Sequence, residues 1–488
     1  MLLMRDNTEF IPVKNPNLQE SRTEAKHLPI AQRLSSFDEV EQTYTKEEAE
    51  NEAARCLKCP THWCEKQCPA GVPVTDFIAA FRRGDVEGAY QLIRGASALP
   101  EICSRVCPQH KQCQSECTRS IRSMAVGIGR LERYVVDAHY ASGAAEKTAA
   151  STGKKVAVVG AGPSGLSVAQ FLTDKGHAVT VYDKEDRMGG LMEYGIPNMK
   201  LEKGIVERKI QSMERQGVTF VYNTLVGRDI TEAELESQFD AVVLAIGTGN
   251  ARKLQIAGLD QAKGVYMAVD FLTSNTKSFL DSKLSDGKNV SAEGKHVIIV
   301  GGGDTGNDCV GTSIRTGAAS VTQLEMMPKH VGREFIHSPR IPKLKEVKTD
   351  TSQEECKVRF GKDPHIYQTT VKEIKTDASG QITAVVTVDL DAIYDEHFRL
   401  SLEEIPGTEK ELPCDLMIIA AGFSGPDHTV IDHFKVDITE RSNIATTDYR
   451  TSKENVFACG DCRTGQSLVV KAMVDGRTCA DVVDAYLK

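Results

Sequence analysis

Two copies of a glycine-rich motif, Gly-x-Gly-x-x-Gly, constrain the fold of this chain. They begin at Gly160 and Gly301, about 140 residues apart, and each follows a short apolar segment, Val156–Val159 or His296–Val300. A strand, a tight glycine turn and a helix in that order place backbone N–H groups against the pyrophosphate of a dinucleotide. The sequence therefore predicts two Rossmann-like domains, each with one dinucleotide site.

The first copy has every part of the dinucleotide fingerprint. Gly160 permits the turn, Gly162 lets the backbone approach a pyrophosphate, and Gly165 lets the helix that we expect over Leu166–Lys175 pack on the strand. A second strand, Ala178–Tyr182, is followed by Asp183, which would bind a ribose hydroxyl. A chance glycine turn would lack this complete context.

In the second copy the predicted contacts are Gly301, Gly303, Asp304, Thr305 and Gly306, followed by a helix over Asn307–Thr316.

The cofactor preference of this second site stays open. The next strand, Ser320–Leu324, ends at Glu325. An acid there binds a free ribose 2′-hydroxyl and favours NADH, whereas a 2′-phosphate requires a basic side chain. Lys329 and Arg333 are close enough in sequence to favour NADPH. Both cofactors therefore remain candidates.

Three later segments resemble those of the disulfide-reductase-like flavoproteins. Ala241–Gly247 and Asp415–Gly422 are similar to the strands that cross between the two domains of that superfamily, and Asn455–Asp461 is similar to its second flavin motif. The resemblance implies that the helix beginning near Gln466 points its N-terminus at the flavin ring. It also implies an α/β fold with a flavin domain split into 151–249 and 424–488, and a nicotinamide domain, 250–423, inserted in it.

Eight of the fourteen cysteines lie between Cys56 and Cys117. They form two groups: Cys56, Cys59, Cys64 and Cys68, then Cys103, Cys107, Cys113 and Cys117. Met1–Ile11 has no signal-peptide core, so we expect a reducing, cytoplasmic location in which disulfides are improbable. Zinc is the main alternative to iron–sulfur clusters, but only Cys56-x2-Cys59 has the spacing of a zinc pair, and the first run is closer to ferredoxin ligation.

The first 150 residues predict a helical domain with cysteines in its loops. Thr45 and Glu48 form a capping box before one helix, and Thr75 could cap a second. Further helices are expected over about Asp85–Arg94 and Ile128–Tyr140, and Ala141–Gly153 has the composition of a linker.

Composition excludes several classes of function. A net charge of −9 argues against nucleic-acid binding and against attraction to anionic membranes, and no apolar run is long enough to cross a bilayer. With 488 residues and 40% hydrophobic content, the chain has enough apolar sequence for about three globular domains.

Nearly the whole chain resembles the small (beta) subunit family of glutamate synthase. The segments that carry the resemblance are Ala54–Cys59, Arg105–Gln109, Gly189–Pro197, Gly301–Gly306, Phe360–Pro364 and Gly460–Val470. The resemblance implies that NAD(P)H reduces FAD and that electrons then pass through two [4Fe–4S] clusters to a large subunit. That subunit carries FMN, another iron–sulfur cluster and a glutamine amidotransferase site, and makes L-glutamate from L-glutamine and 2-oxoglutarate. Residue 2 is Leu rather than a nucleophilic cysteine, so we expect no amidotransfer by this chain.

The same input module occurs in dihydropyrimidine dehydrogenase and in some ferredoxin:nicotinamide reductases, which are alternative functions. A metal-binding adaptor with an inert flavoprotein fold is a more remote alternative.

The resemblance also implies which residues hold the clusters. Cys56, Cys59, Cys64 and Cys117 would bind one cluster, and Cys68, Cys107, Cys113 and Glu132 the other. Cys103 would then be a bystander. The alternative interpretation of Glu132 is a solvated helix residue.

The family's flavin contacts can be carried over in the same way. They are Gly160, Gly162, Ser164, Gly165, Asp183, Arg187, Gly190, Leu191, Gly247, Gly460, Asp461, Gln466, Ser467 and Leu468. No acid, base or nucleophile is expected, because the cofactors supply the chemistry. Cys459-x2-Cys462 could be a redox dithiol, although small residues are also what this tight motif needs.

Overall fold

The computed structural model describes residues 17–144, 148–329, 335–336, 343–344, 350–394 and 400–488. Met1–Ile11, Arg333 and residues 145–147 of the proposed linker lie outside the described residues. The chain divides into two compact units. The smaller contains described residues 17–26 and 43–144 with the paired strands at 335–336 and 343–344, and the larger contains 27–42 and the rest.

Residues 27–42 belong to the larger unit, although the sequence analysis grouped them with the cysteine-rich part. This segment contains the short helix α1 (Ile30–Arg33). It is closed by an antiparallel bridge between His27 and Glu41 and by a hydrogen bond from Leu28 N to Val40 O. Pro29 immediately precedes α1 within this segment.

The smaller unit is helical, as predicted. Its helices are α2 (Lys46–Ala53), α3 (Trp63–Gln67), α4 (Val74–Arg82), α5 (Val86–Ala96), α6 (Pro100–Val106) and α7 (Ile128–Ala141), with short 3-10 turns at Gln109–Lys111 and Thr118–Ile121. The capping box at the start of α2 is confirmed: Glu48 N donates to the Thr45 hydroxyl and Thr45 N donates to the Glu48 carboxylate.

Thr75 does not cap α4, so that prediction is wrong. The helix begins one residue earlier, and the Thr75 hydroxyl and N–H both donate to the Glu65 carboxylate, at 2.8 and 3.1 Å. A buried carboxylate needs such donors, and this demand overrides the local capping preference.

The larger unit alternates strands and helices. Its further helices are α8 (Pro163–Thr173), α9 (Leu191–Tyr194), α10 (Lys203–Arg215), α11 (Glu232–Gln238), α12 (Ala268–Ser282), α13 (Asp304–Arg315), α14 (Thr351–Phe360), α15 (His428–Phe434), α16 (Asp461–Thr464) and α17 (Val469–Leu487). The chain's strands are β1 (Lys155–Val159), β2 (Ala178–Tyr182), β3 (Thr219–Val221), β4 (Ala241–Leu244), β5 (Asn250–Ala251), β6 (Val265–Met267), β7 (His296–Val300), β8 (Ser320–Glu325), β9 (Phe335–Ile336), β10 (Lys343–Leu344), β11 (His365–Tyr367), β12 (Thr369–Thr376), β13 (Ile382–Tyr394), β14 (Leu400–Glu404), β15 (Lys410–Pro413), β16 (Leu416–Ile419), β17 (Phe423–Gly425) and β18 (Val456–Ala458).

Two five-stranded parallel sheets organise the larger unit. The first sheet has the order β18-β4-β1-β2-β3 and the second has the order β11-β8-β7-β16-β6. The chain leaves the first sheet after β4, builds the second, and returns to the first at β18. The predicted α/β fold, with the second Rossmann-like domain inserted in the first, is therefore confirmed.

The core strands explain this arrangement. β1 and β4 in the first sheet, and β7 and β16 in the second, consist almost entirely of buried apolar residues. Strands buried on both faces belong to the centre of a parallel sheet covered by helices. Strands β12–β15 form an additional antiparallel sheet, and β5 and β17 pair where the chain crosses between the two sheets. Within the described residues, no helix is both long and apolar enough to cross a membrane.

Candidate nucleotide and iron–sulfur sites

The first glycine turn is held by close backbone contacts. Gly160 has φ +103°, and a Cβ there would lie 2.5 Å from the Ala245 carbonyl oxygen. A Cβ on Gly165 would lie 1.9 Å from the Gly160 carbonyl oxygen, whereas Gly162 has open space at that position. Any side chain at 160 or 165 would therefore separate α8 from the turn, while the opening at Gly162 lets a ligand approach the backbone.

Asp183 lies beside this turn. Its carboxylate accepts hydrogen bonds from Ala161 N at 2.7 Å and Glu185 N at 3.0 Å. Burial raises the pKa of Asp183, and these two N–H groups oppose that shift. The carboxylate is thus fixed at the end of β2, where the fingerprint needs a ribose acceptor.

Two distant segments meet at the N-terminus of α8. A Cβ on Gly190, which has φ +56°, would lie 3.0 Å from the Gly162 Cα atom. A Cβ on Gly460, which has φ +75°, would lie 2.3 Å from the Ser164 hydroxyl oxygen. The structure therefore brings Gly190 and Gly460, from two later segments of the predicted flavin site, to the N-terminus of α8.

The turn after β18 is supported by side chains on both sides. The Asp461 carboxylate accepts a hydrogen bond from the Ser467 hydroxyl at 2.7 Å, and Gln466 Oε1 accepts one from Phe423 N at 2.8 Å. Leu468 is the N-cap of α17 and is exposed. Gly247 has φ +67° and open space at its Cβ position. Helix α17 packs closely on α8, because a Cβ on Gly476 would lie 2.2 Å from the Ser164 carbonyl oxygen.

Sequence reasoning missed Asp475, which holds this turn from within α17. Its carboxylate accepts hydrogen bonds from Gly460 N at 2.6 Å and from the Tyr449 hydroxyl at 3.0 Å, and it is paired with Arg463. An acidic residue in a long helix has no local signature that would reveal this contact.

The Arg187 guanidinium makes its hydrogen bonds with α12 and α9. It donates to the Asp281 carboxylate on α12 at 2.6 Å and to the Tyr194 hydroxyl at 3.1 Å. The adjacent Leu191 is exposed. Arg187 therefore links α9 to α12 in this structure, and a flavin contact for it stays a prediction.

Cys459 and Cys462 are both buried, and Cys462 Sγ donates to the Cys459 carbonyl oxygen at 3.2 Å. The Cys459 thiol is hydrogen-bonded to Cys479. Burial raises the pKa of Cys462 far above its usual range. Buried, protonated thiols behave as small apolar residues, which favours the packing interpretation of this pair over the redox one.

The second glycine turn repeats the geometry of the first. Gly301 has φ +121°, and a Cβ there would lie 2.5 Å from the Ala420 carbonyl oxygen. A Cβ on Gly306 would lie 2.1 Å from the Gly301 carbonyl oxygen, and Gly303 again has open space. Asp304 and Thr305 form the first turn of α13, so the glycine turn leads directly into a helix N-terminus, as the predicted pyrophosphate site requires.

Glu325 closes this second site at the end of β8. Its carboxylate accepts a hydrogen bond from Met327 N at 2.8 Å, and a Cβ on Gly302 would lie 2.1 Å from its Oε2 atom. Lys329 Nζ lies 5.6 Å from the ring centre of Tyr367, the residue opposite Glu325 in the neighbouring strand. An acid and a base therefore both flank the expected ribose position.

Cysteines from both sequence groups line one cavity in the smaller unit. They are Cys56, Cys59, Cys64 and Cys117, and Trp63 forms part of the wall. Burial, and after it the neighbouring Cys117, raise the pKa of Cys64. Four converging thiols in an apolar pocket match the donor set of a four-iron cluster.

A second set of cysteines, Cys68, Cys107 and Cys113, lies near Glu132 on α7. Burial raises the pKa of Glu132 to about 8. The pKa values of Cys68 and Cys113 are raised by burial and then by nearby negative groups that include Glu132. The pKa of Cys107 is also raised. The largest cause is its hydrogen bond with Cys103, followed by burial and by nearby charges that include Glu132. No hydrogen bond or ion pair joins Glu132 to another residue within the described part of the chain.

Neither set has the geometry of a site for one ion. Among the described residues, no group of three or more His, Cys, Asp and Glu side chains is arranged to hold a single metal ion. A tetrahedral zinc site requires four ligand atoms about 2.0–2.3 Å from one centre. A four-iron cluster differs from such a site because its ligands bind different iron atoms.

A buried ion pair holds the loop that carries Cys117. The Arg55 guanidinium, fully buried after α2, donates to Glu52 at 2.9 Å and to the Met124 carbonyl oxygen at 2.7 Å. Glu52 in turn accepts from Gly127 N at 2.8 Å. Because both charges are buried and hydrogen-bonded, the pair fixes the positions of the two cysteine groups relative to each other.

Comparisons with known proteins agree with this geometry. Residues 33–144 match the family described as dihydropyrimidine dehydrogenase domain II, 4Fe-4S cluster, and residues 154–476 match the pyridine nucleotide-disulphide oxidoreductase family. The chain is 40% identical over 468 residues to the glutamate synthase [NADPH] small chain of Bacillus subtilis, covering 93% of this chain and 94% of that protein. It belongs to the glutamate synthase small-chain family. As a family member it is an NAD(P)H-dependent oxidoreductase that uses FAD and iron–sulfur chemistry.

Further relatives show how the family is organised. The Escherichia coli glutamate synthase [NADPH] small chain is 32% identical over 96% of this chain and 97% of that protein. The glutamate synthase [NADH] of Schizosaccharomyces pombe is 38% identical over 95% of this chain, which spans only 22% of that protein. Among solved structures, Mycobacterium tuberculosis FprA in complex with NADPH has a TM-score of 0.54 at 19% identity, covering 68% of this chain and 84% of that one. The structural match supports the fold of the larger unit.

Proposed function

We propose that this chain is the electron-input subunit of a glutamate synthase. In this role it oxidises NAD(P)H and passes electrons to a large subunit that makes L-glutamate from L-glutamine and 2-oxoglutarate. The observation that carries the proposal is the match to small chains of the same length together with two complete dinucleotide sites. The S. pombe relative supports the partner, because there the equivalent stretch is a minor part of a longer glutamate synthase. By resemblance, that partner would carry FMN, an iron–sulfur cluster and the glutamine amidotransferase site.

Bound FAD, nicotinamide and clusters would supply the hydride and single-electron chemistry. The residues of this chain would bind these cofactors, orient them and set their electrostatic surroundings. The first glycine turn and Asp183 would hold the adenosine half of FAD, while Asp461 and the first turn of α17 would face the flavin end. The N-terminus of a long helix carries a partial positive charge, which stabilises negative charge on a reduced ring. No acid or base is needed in this assignment.

At the second site, the turn Gly301–Gly306 would bind the pyrophosphate of the nicotinamide cofactor. Glu325 would accept a hydrogen bond from an unphosphorylated ribose, which supports NADH. Lys329 lies on the same side through its contact with the ring of Tyr367, which supports NADPH. Both cofactors therefore stay in the proposal, and the bacterial relatives named above are NADPH enzymes.

The cysteine sets support two [4Fe–4S] clusters. We assign Cys56, Cys59, Cys64 and Cys117 to one, because they line a common cavity. We assign Cys68, Cys107, Cys113 and Glu132 to the other, as the family resemblance implies, and the Glu132 carboxyl group lies near all three thiols. Cys103 is left as a buried hydrogen-bond partner of Cys107. In domain terms, 1–150 would be the cluster domain, 151–249 with 424–488 the flavin domain, and 250–423 the nicotinamide domain.

Anaerobic purification followed by iron, sulfide and flavin analysis tests the proposal. It requires one FAD and two four-iron clusters per chain, and bleaching of the flavin absorbance when NADPH or NADH is added. A colourless protein would support the adaptor alternative. Rapid reduction of a ferredoxin-type acceptor, without any stable complex with a large glutamate synthase subunit, would support the reductase alternative.

A further inference from the structure

Residues 186–200 connect β2 to α10 and form a charged interface with the part of the larger unit built on the second sheet. Three side chains of this connecting segment make its ion pairs. Asp186 pairs with Lys277 at 2.7 Å and Arg187 pairs with Asp281 at 2.6 Å, both on α12. Gly190, at the centre of the segment, lies against the first glycine turn. One segment therefore contacts the proposed flavin site and the proposed nicotinamide domain.

Lys200, at the end of this segment, forms ion pairs with two carboxylates of the part built on the second sheet. Its ammonium group lies 2.6 Å from the Asp308 carboxylate on α13 and 3.0 Å from the Asp350 carboxylate, the N-cap of α14. Asp308 is 7% exposed, and its buried carboxylate needs a cation beside it. Burial would lower the pKa of Lys200, but Asp308, Asp350 and Asp304 together raise it, so the ammonium stays charged. Asp304 begins the helix that faces the proposed pyrophosphate position.

The segment 27–42 crosses the same interface independently. Val40 N donates to the Met199 carbonyl oxygen at 2.9 Å, and Asn198 Nδ2 donates to the Phe37 carbonyl oxygen at 2.8 Å. On the other side, the Phe37 ring lies 5.0 Å from that of Phe279, and Arg315 on α13 donates to the Ser36 carbonyl oxygen at 2.7 Å. This segment thus ties residues next to Lys200 to α12 and α13.

We propose that Lys200 is a positioning residue that, with the segment 27–42, holds the nicotinamide-binding helix α13 in the orientation required for hydride transfer to the flavin. This inference rests on the proposed reaction between NAD(P)H and FAD. Because Lys200 reaches α13 through Asp308 rather than through the cofactor, it controls geometry instead of affinity. Small displacements of reacting groups are enough to slow such a step strongly.

The test compares Lys200→Met with Lys200→Arg in the holoprotein, with Lys375→Met as a control at an exposed ion pair on the antiparallel sheet. Anaerobic stopped-flow measurement of flavin reduction by NADPH and by NADH separates the limiting rate from the apparent Kd. We expect Lys200→Met to lower the limiting rate by about tenfold or more while the Kd stays within about threefold. Lys200→Arg should recover most of the rate, and Lys375→Met should match the wild type.

Hydrogen–deuterium exchange of the nucleotide-free holoprotein supplies a readout that does not depend on turnover. Lys200→Met should exchange faster than wild type in 27–42, α13 and α14, and Lys200→Arg should not. If Lys200→Met fails to fold, Asp308→Asn carries the test, because asparagine keeps the size of the side chain on α13 but no longer forms an ion pair with the ammonium group. Unchanged limiting rates in these variants, or an effect on the Kd alone, would overturn the inference. Failure of wild-type flavin to be reduced by either cofactor would instead overturn the proposed function.

Discussion

Gly460 and Ser164 are in contact, although they lie near opposite ends of the larger unit's sequence. A Cβ on Gly460 would lie 2.3 Å from the Ser164 hydroxyl oxygen and 2.7 Å from its Cβ atom. Gly460 also has φ +75°, which favours glycine. The turn after β18 can therefore sit on the N-terminus of α8 only if residue 460 has no side chain, and this contact assembles the proposed flavin site from two distant segments.

Replacing Gly460 should weaken FAD binding. We expect Gly460→Ala to cost about 1–3 kcal/mol of folding stability through strain and to lower the FAD content of the purified protein. The ratio of flavin to protein absorbance and the thermal unfolding midpoint measure both effects. Gly204→Ala is the control, because a Cβ there meets nothing within 4 Å and alanine should stabilise α10 by about 0.5–1 kcal/mol. Equal flavin content in the two variants would contradict the proposed site.

Cys103 in α6 and Cys107 at the C-terminal end of this helix should differ in their effects on iron. Cys107→Ser should remove about half of the iron and sulfide, because a proposed cluster loses a thiolate. Cys103→Ser should keep the full content, since Cys103 serves only as a hydrogen-bond partner. Metal analysis with EPR of the dithionite-reduced proteins distinguishes them. Loss of a cluster in Cys103→Ser would place that residue among the ligands.

Glu132 should affect one cluster only. We expect Glu132→Ala to change the EPR signal and midpoint potential of the cluster bound by Cys68, Cys107 and Cys113, because a carboxylate ligand is removed. The other cluster should keep both properties. Glu50→Ala, at an exposed position on α2, is the matched control. If both cluster signals survive Glu132→Ala unchanged, Glu132 is an ordinary helix residue.

Much of the dinucleotide-binding architecture could be predicted from sequence. β2 and β7 have the bounds that the sequence predicts, because each is an apolar run that borders a turn. The helices α8 and α13 begin three residues earlier than predicted, at Pro163 and Asp304. They start inside the glycine motif itself, since their first N–H groups must face the ligand. The spacing of apolar residues reveals the buried face of a helix, but it does not reveal a first turn that lies within a glycine motif.

The contacts that join distant segments could not be predicted. The pairing of Arg187 with Asp281, the attachment of 27–42 to the larger unit, and the support of Gly460 by Asp475 all involve common polar residues without a motif. Their partners are set by the packing of complete domains, so local propensity carries no information about them. The antiparallel sheet was also missed. Its long strand β13 has an alternating stretch, but a register shift between Val371 and Glu373 interrupts the pattern in its neighbour β12.

Glu325 should influence the choice between the two nicotinamide cofactors. We expect Glu325→Ser to lower kcat/KM for NADH by about tenfold and to shift preference toward NADPH, because the variant loses the ribose acceptor and a negative charge. Steady-state assays with both cofactors measure this. Glu373→Ser, at an exposed site on the antiparallel sheet, should leave the ratio unchanged. An unaltered ratio in Glu325→Ser would remove Glu325 from the site.

Coupled turnover with the proposed partner tests most directly whether this chain supplies electrons to a glutamate synthase. The chain and a large glutamate synthase subunit are combined anaerobically with NADPH or NADH, L-glutamine and 2-oxoglutarate, and both nicotinamide oxidation and L-glutamate are measured. Two L-glutamate molecules are expected for each NAD(P)H oxidised, because one comes from the glutamine and one from the reductive use of its nitrogen. Loss of this coupling is expected when the chain lacks its clusters. Nicotinamide oxidation without L-glutamate, in a stable complex with intact cofactors, would contradict the central claim.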